Sequence, residues 1–158
     1  MFRLMEWINQ SPVANAMNGP EWAFPVVETI HFLGFALLIG TIAIVDLRLL
    51  GLGMRRQSAA QLAADLAPWT RAGLAVMLIT GPLMFSADAV RYYVNESFRI
   101  KMVCLLTAIG FHFTIHRRIA RSLDSTTGDA TVAGRLVAVV SLVLWTGVLS
   151  AGRMIAFV

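Results

Sequence analysis

Ionisable side chains are scarce in this chain: only 14% of its 158 residues are charged, and three are histidine. Its one cysteine, Cys104, lies inside an apolar run, which excludes a disulfide framework or a cysteine metal site. Cys104 reads instead as a small buried hydrophobe. No internal repeat is evident, and the Ser-Thr-Thr-Gly stretch near residue 126 is a polar turn. The net charge is +4, but the arginines sit at segment ends and form no aromatic-laced basic stripe, so nucleic acid is not the partner.

What the chain has in abundance is apolar surface. Hydrophobic residues make up 58% of it and the mean hydropathy is +0.72, the profile of an integral membrane protein rather than a soluble domain. Four apolar segments are expected to span, at about Phe24–Leu50, Pro68–Ala87, Phe98–Arg118 and Gly134–Phe157. A bilayer leaves the backbone no other partner, so all four should be helices and the fold an all-α membrane four-helix bundle. Pro82 frees the Leu78 carbonyl and should bend the second span.

Ahead of them, Met1–Met17 places Phe2, Leu4, Met5 and Ile8 on one side, with Arg3, Glu6, Asn9 and Gln10 interrupting. That segment is too short and polar to span and has no signal-peptide pattern; it should form an interfacial helix, ended by Asn18-Gly19-Pro20.

Charge sets the expected orientation. Of the 13 lysines and arginines, eight (Arg48, Arg55, Arg56, Arg71, Arg117, Arg118, Arg121, Arg135) flank the loops after spans one and three. Five (Arg3, Arg91, Arg99, Lys101, Arg153) lie at the other side, so the richer side should be cytoplasmic and both termini should face outward. Trp22, Tyr92 and Tyr93 then suit the outer interface.

Histidine at hydrocarbon depth is costly, so His31, His112 and His116 are the candidate functional residues. Counting 1.5 Å per residue, His31 lies roughly 13 Å inward from Trp22, and His112 roughly 16 Å inward from Lys101. His116, about 22 Å from Lys101, falls near the cytoplasmic headgroups. Two imidazoles at one depth on facing helices suit a haem iron, so His31 and His112 are the expected axial ligands of one haem b, with His116 the alternative second ligand. Arg153, Lys101 and Arg99 would meet the propionates, Glu28 would serve as a partner to a histidine or to Arg153, and Gly34, Gly110 and Gly147 would give the ring clearance.

Other chemistry fits less well. Glu28 and His31 have the Glu-x-x-His spacing of diiron bundles, but the second such motif is missing. His112 and His116 at i and i+4 lack the glutamate of a zinc hydrolase motif. Asp46 and Arg48 are expected to form an ion pair that His116 can join.

Phe24-Pro25 with Glu28, His31 and Gly34, then Asp46-Leu47-Arg48-Leu49-Leu50-Gly51, Phe98-Arg99 with Lys101-Met102, and Gly152-Arg153 with Ile155-Ala156 together resemble a family of uncharacterised bacterial four-span inner-membrane proteins. That resemblance covers nearly the whole chain, carries no activity, and aligns the recurring third-span histidine with His116. More loosely, the architecture is similar to bacterial four-helix b-type membrane cytochromes and the copper-resistance membrane proteins related to them. Those cytochromes generally use four histidines; three here cap the number of bis-histidine haems at one.

The leading expectation is therefore an inner-membrane protein that passes electrons through one haem b, a component of an oxidoreductase. Quinol and an outer-side redox protein or larger membrane complex are the partners that the cytochrome likeness implies. A membrane anchor or assembly subunit, or a transporter of protons or metal ions, stands beside it. Whether the chain self-associates is left open.

Overall fold

The computed structural model describes residues 2–53, 56–122 and 131–157. Arg55, the side chain of Arg121 and the polar turn near residue 126 lie outside the described residues. Every element in the described part is helical. The order is α1 (Phe2–Asn9), α2 (Pro12–Asn18), α3 (Ala23–Leu49), α4 (Ala59–Ala87), α5 (Ala89–Val94), α6 (Glu96–Phe111), a π-helical turn (His112–His116), α7 (Arg117–Ser122), α8 (Val132–Met154) and a closing 3₁₀ turn (Ile155–Phe157). Four stretches are long and apolar enough to cross a membrane: Ala23–Leu49, Ala59–Ala87, Glu96–Ala120 and Val132–Met154.

Three boundaries differ from expectation, each for a local reason. The N-terminal preface is two helices, because Ser11 is extended and its hydroxyl accepts from the Ala14 amide while Pro12 opens the second helix. The second long helix begins at Ala59, nine residues before Pro68, because Ser58 caps it by accepting from the Gln61 amide. Pro68 and Pro82 therefore both lie inside α4. The third runs from Asn95, whose side chain accepts from the Phe98 amide, to Ser122 through the π turn. α3 stops at Gly51, whose φ of 80° suits glycine; the Gly51 and Leu52 amides reach back to the Arg48 and Leu47 carbonyls in a Schellman arrangement.

α3 packs antiparallel along α4, α6 along α8, and α3 joins the two pairs through α8. The α3–α4 register is set by close approach. A Cβ on Gly73 would lie 2.8 Å from the Gly34 carbonyl oxygen and the Leu38 amide, and one on Gly34 would lie 2.5 Å from Val76. The same register pairs His31 with Thr80 and Thr41 with Thr70. Midway along the bundle, Leu38, Ile42, Met77, Ala108, Trp145 and Val148 form one apolar core, with Cys104 packed against it. A second core of Val45, Leu49, Ala59, Leu62, Ala120 and Ala138 closes the end where α3 gives way to α4.

The preface is docked as well as amphipathic. Phe2, Leu4 and Trp7 are exposed, while Ala14 and Met17 are buried. Asn18 donates to the Ala87 carbonyl and Asn9 accepts from the Ala89 amide, so two asparagines satisfy backbone groups where α4 breaks into α5.

Candidate functional site

The three histidines divide between two places. His31, on α3, points its Nδ1 at the Thr80 hydroxyl of α4, 2.7 Å away. The Thr80 proton is directed to the Val76 carbonyl at 2.6 Å, so His31 donates from Nδ1 and keeps a lone pair on Nε2. Gly81 lies beside the ring, where a Cβ would come 3.7 Å from Cε1.

His112 and His116 sit elsewhere. Their rings stack at 4.9 Å and 29°, and they begin and end the π turn, in which the Arg117 amide bonds five residues back to the His112 carbonyl. Such a turn inside a helix often marks a functional position. His116 Nε2 lies 2.7 Å from Asp46 Oδ1 on α3, and the two residues are 1% and 0% exposed. Asp46 Oδ2, His116 Nδ1 and His112 Nδ1 are buried without a hydrogen-bond partner. Both imidazoles also line a cavity of about 50 Å³ with Thr41, Thr70, Arg71 and Arg117. The threonines are already tied together, Thr70 donating to Thr41 and Thr41 to carbonyls of its own helix.

These positions correct the depth reading. His112 shares its cavity with Thr41, Ile42 and Val45, which lie ten to fourteen residues beyond His31 on α3. At 1.5 Å per residue that is about 15–21 Å of axial offset, so His31 and His112 do not meet on one iron. His116 lies beside Asp46, farther still from His31. The count went astray at Lys101, taken to mark the bilayer boundary. Lys101 is instead within electrostatic reach of His31, its stem lying over Gly152 of α8, where a side chain would come 3.5 Å from Cε.

The remaining expected site residues scatter. Arg99 and Arg153 are exposed, and the Arg153 guanidinium stands 5.7 Å from the Phe157 ring centroid. Glu28 is half-buried, within electrostatic range of Tyr92, whose phenol is pushed above its ordinary value chiefly by burial. Gly34 gives its clearance to α4, Gly147 faces the Cys104 sulfur, and only Gly110 of those three has open space. Asp46 does not pair with Arg48; the Arg48 Nε donates to the Gln57 carbonyl at 2.7 Å. Among the described residues no three His, Cys, Asp or Glu side chains gather as a metal site.

Sequence reasoning passed over Thr80, Thr41 and Thr70. Their signal was present, since hydroxyls inside apolar spans seek partners across helices. Which threonine met which group depended on the α3–α4 register.

The chain belongs to a family of unknown function (DUF6644), whose model matches residues 6–158. No curated protein and no solved structure gives a match.

Proposed function

We propose that the protein is a proton-coupled transporter, built as an integral four-helix bundle in a bacterial inner membrane. The observation that carries this reading is the Asp46–His116 pair, fully buried, with an unpartnered oxygen on one side and an unpartnered nitrogen on the other. Burying such groups costs several kcal/mol in general, and ionisable residues inside membrane helices mark proton or ion paths. A structural anchor has no use for that cost. His116 shares one proton with Asp46 through Nε2 and keeps Nδ1 unpartnered, so the imidazole can take a proton on one nitrogen while its other holds the carboxylate. His112, stacked on it, extends the same proton-accepting surface. The arginine asymmetry favours the Asp46 end at the cytoplasmic face and both termini outside.

Proteoliposomes with a trapped pH dye, an imposed pH gradient and the membrane potential clamped by potassium and valinomycin, in chloride medium, test the reading. The wild-type protein should carry protons faster than protein-free vesicles, and Asp46→Asn, which keeps the shape but cannot ionise, should return the rate to that of empty vesicles. Equal flux through wild type and Asp46→Asn would remove the proposal.

A second reading keeps haem b, with His31 as its one histidine ligand. It is favoured by the His31–Thr80 bond, which fixes the ring and leaves Nε2 free to ligate iron, the orientation that second-sphere bonds give metal-binding histidines. The group would supply one-electron chemistry, and quinol and an outer-side redox protein would be its partners; the chain would supply the ligand and the Lys101 charge nearby. The two-histidine form does not fit this geometry. Protein purified from haem-replete cells should accordingly lack the sharp reduced α and β bands of low-spin bis-imidazole haem. A low-spin spectrum that His112→Ala abolishes would overturn the separation of the two sites.

A further inference from the structure

The cavity beside the Asp46–His116 pair is electropositive, and its charge can be counted. Arg71 of α4 and Arg117 of α7 bring two positive charges to its wall, and His112 and His116 bring two imidazoles. Asp46 of α3 stands behind His116 and does not itself line the space, and among the described residues α8 contributes no lining residue. With one proton shared on the Asp46–His116 pair, the group carries a net charge of two minus one; a second proton raises it to two. The rest of the wall is largely apolar and leaves that excess uncompensated. His116, 1% exposed and with its Nδ1 unpartnered, is among the residues that line the same space. A proton there becomes a buried, unanswered donor. Two guanidiniums and protonated imidazole together are a recognition set for a compact anion.

We infer that this cavity binds one small monovalent anion, and that a proton on the Asp46–His116 pair tightens its grip. The inference rests on the proton-coupled reading and gives it a substrate class: a halide or an oxyanion of a few heavy atoms, as 50 Å³ admits nothing the size of a sugar acid. Coupling follows from charge alone. An anion near the pair favours the added proton, and by linkage the added proton favours the anion by the same factor. Arginine at the wall also opposes bare protons or metal cations, so a proton passes this face most easily in the company of an anion.

Nitrate is the probe and gluconate, too large for the cavity, the control. In phosphatidylcholine nanodiscs at constant ionic strength, nitrate should raise the thermal midpoint of the wild-type protein relative to gluconate, with a half-saturating concentration that falls as the pH is lowered. Removing one charged hydrogen-bond donor with Arg71→Gln, at an exposed position where folding is not at stake, should weaken nitrate about tenfold. Asp46→Asn should weaken the pH dependence of nitrate binding, because the carboxylate no longer favours a second proton on His116. If phosphatidylglycerol in the disc competes with nitrate, the anion comes from a lipid headgroup; if it does not, from solution. Identical midpoints in nitrate and gluconate, or a nitrate response unchanged in both Arg71→Gln and Arg117→Gln, would overturn the site. Proton flux without nitrate binding would leave the transporter reading standing and remove this one; nitrate binding without proton flux would do the reverse.

Discussion

His116→Ala should destabilise the folded chain by about 3–5 kcal/mol, the range found when one partner of a buried ion pair is removed. The loss is large because of what remains. Asp46 is 0% exposed, and its Oδ2 already lacks a partner; without the imidazole its Oδ1 lacks one too. A carboxylate so placed must either stay charged without compensation or hold its own proton, and both cost free energy. Replacing both residues, as Asp46→Leu with His116→Leu, should restore most of the stability, since neither charge is then buried. Unfolding titrations in mixed micelles across the double-mutant cycle measure this. A single-mutant loss below about 1 kcal/mol, the scale of an exposed pair, would mean that water reaches Asp46.

Trp145→Ala is the second large effect, again about 3–5 kcal/mol, from the cavity left by a fully buried aromatic. Trp145 is 2% exposed and belongs to the apolar layer with Leu38, Ile42, Met77 and Val148. Leu38 and Ile42 fall between His31 and Asp46 on α3, so this layer separates the two polar places of the bundle. Opening it should raise passive proton leak as well as lower stability. The leak should persist in Trp145→Ala combined with Asp46→Asn, because it bypasses the carboxylate. Reduced stability with an unchanged leak would show that the barrier to protons lies elsewhere.

The long helices were legible because an apolar run in lipid has only one way to satisfy its backbone. Their ends were less so. The second span reads as starting at about Pro68, yet Ser58 supplies an earlier start, and the proline is carried inside α4. The members of the site were legible one by one: Asp46, His112 and His116 each stand out as polar groups in apolar surroundings. The contact of His116 with Asp46 was expected, but that His112 shares their place was not, because depth was counted from Lys101, a side chain whose stem can lie far from its charge. Arg48, two residues from Asp46 and formally its better partner, was drawn instead to the Gln57 carbonyl. The π turn had no sequence signal at all. The threonine partners required the contact of Gly34 with Gly73, which fixes a register no single helix encodes.

The two asparagines that dock the N-terminal helices carry a consequence for biogenesis. Asn9 and Asn18 bond to Ala89 and Ala87, residues made 80 and 69 positions later. At 5–20 residues per second, the first helices wait roughly 4–16 s for their partners to be synthesised. During that interval Ala14 and Met17, buried in the folded chain, have no protein surface to occupy, and the lipid headgroup region that suits the exposed Phe2, Leu4 and Trp7 is the place that accepts the segment. The preface is thus made first and seated late, closing over the α4–α5 break only after the second long helix is in place.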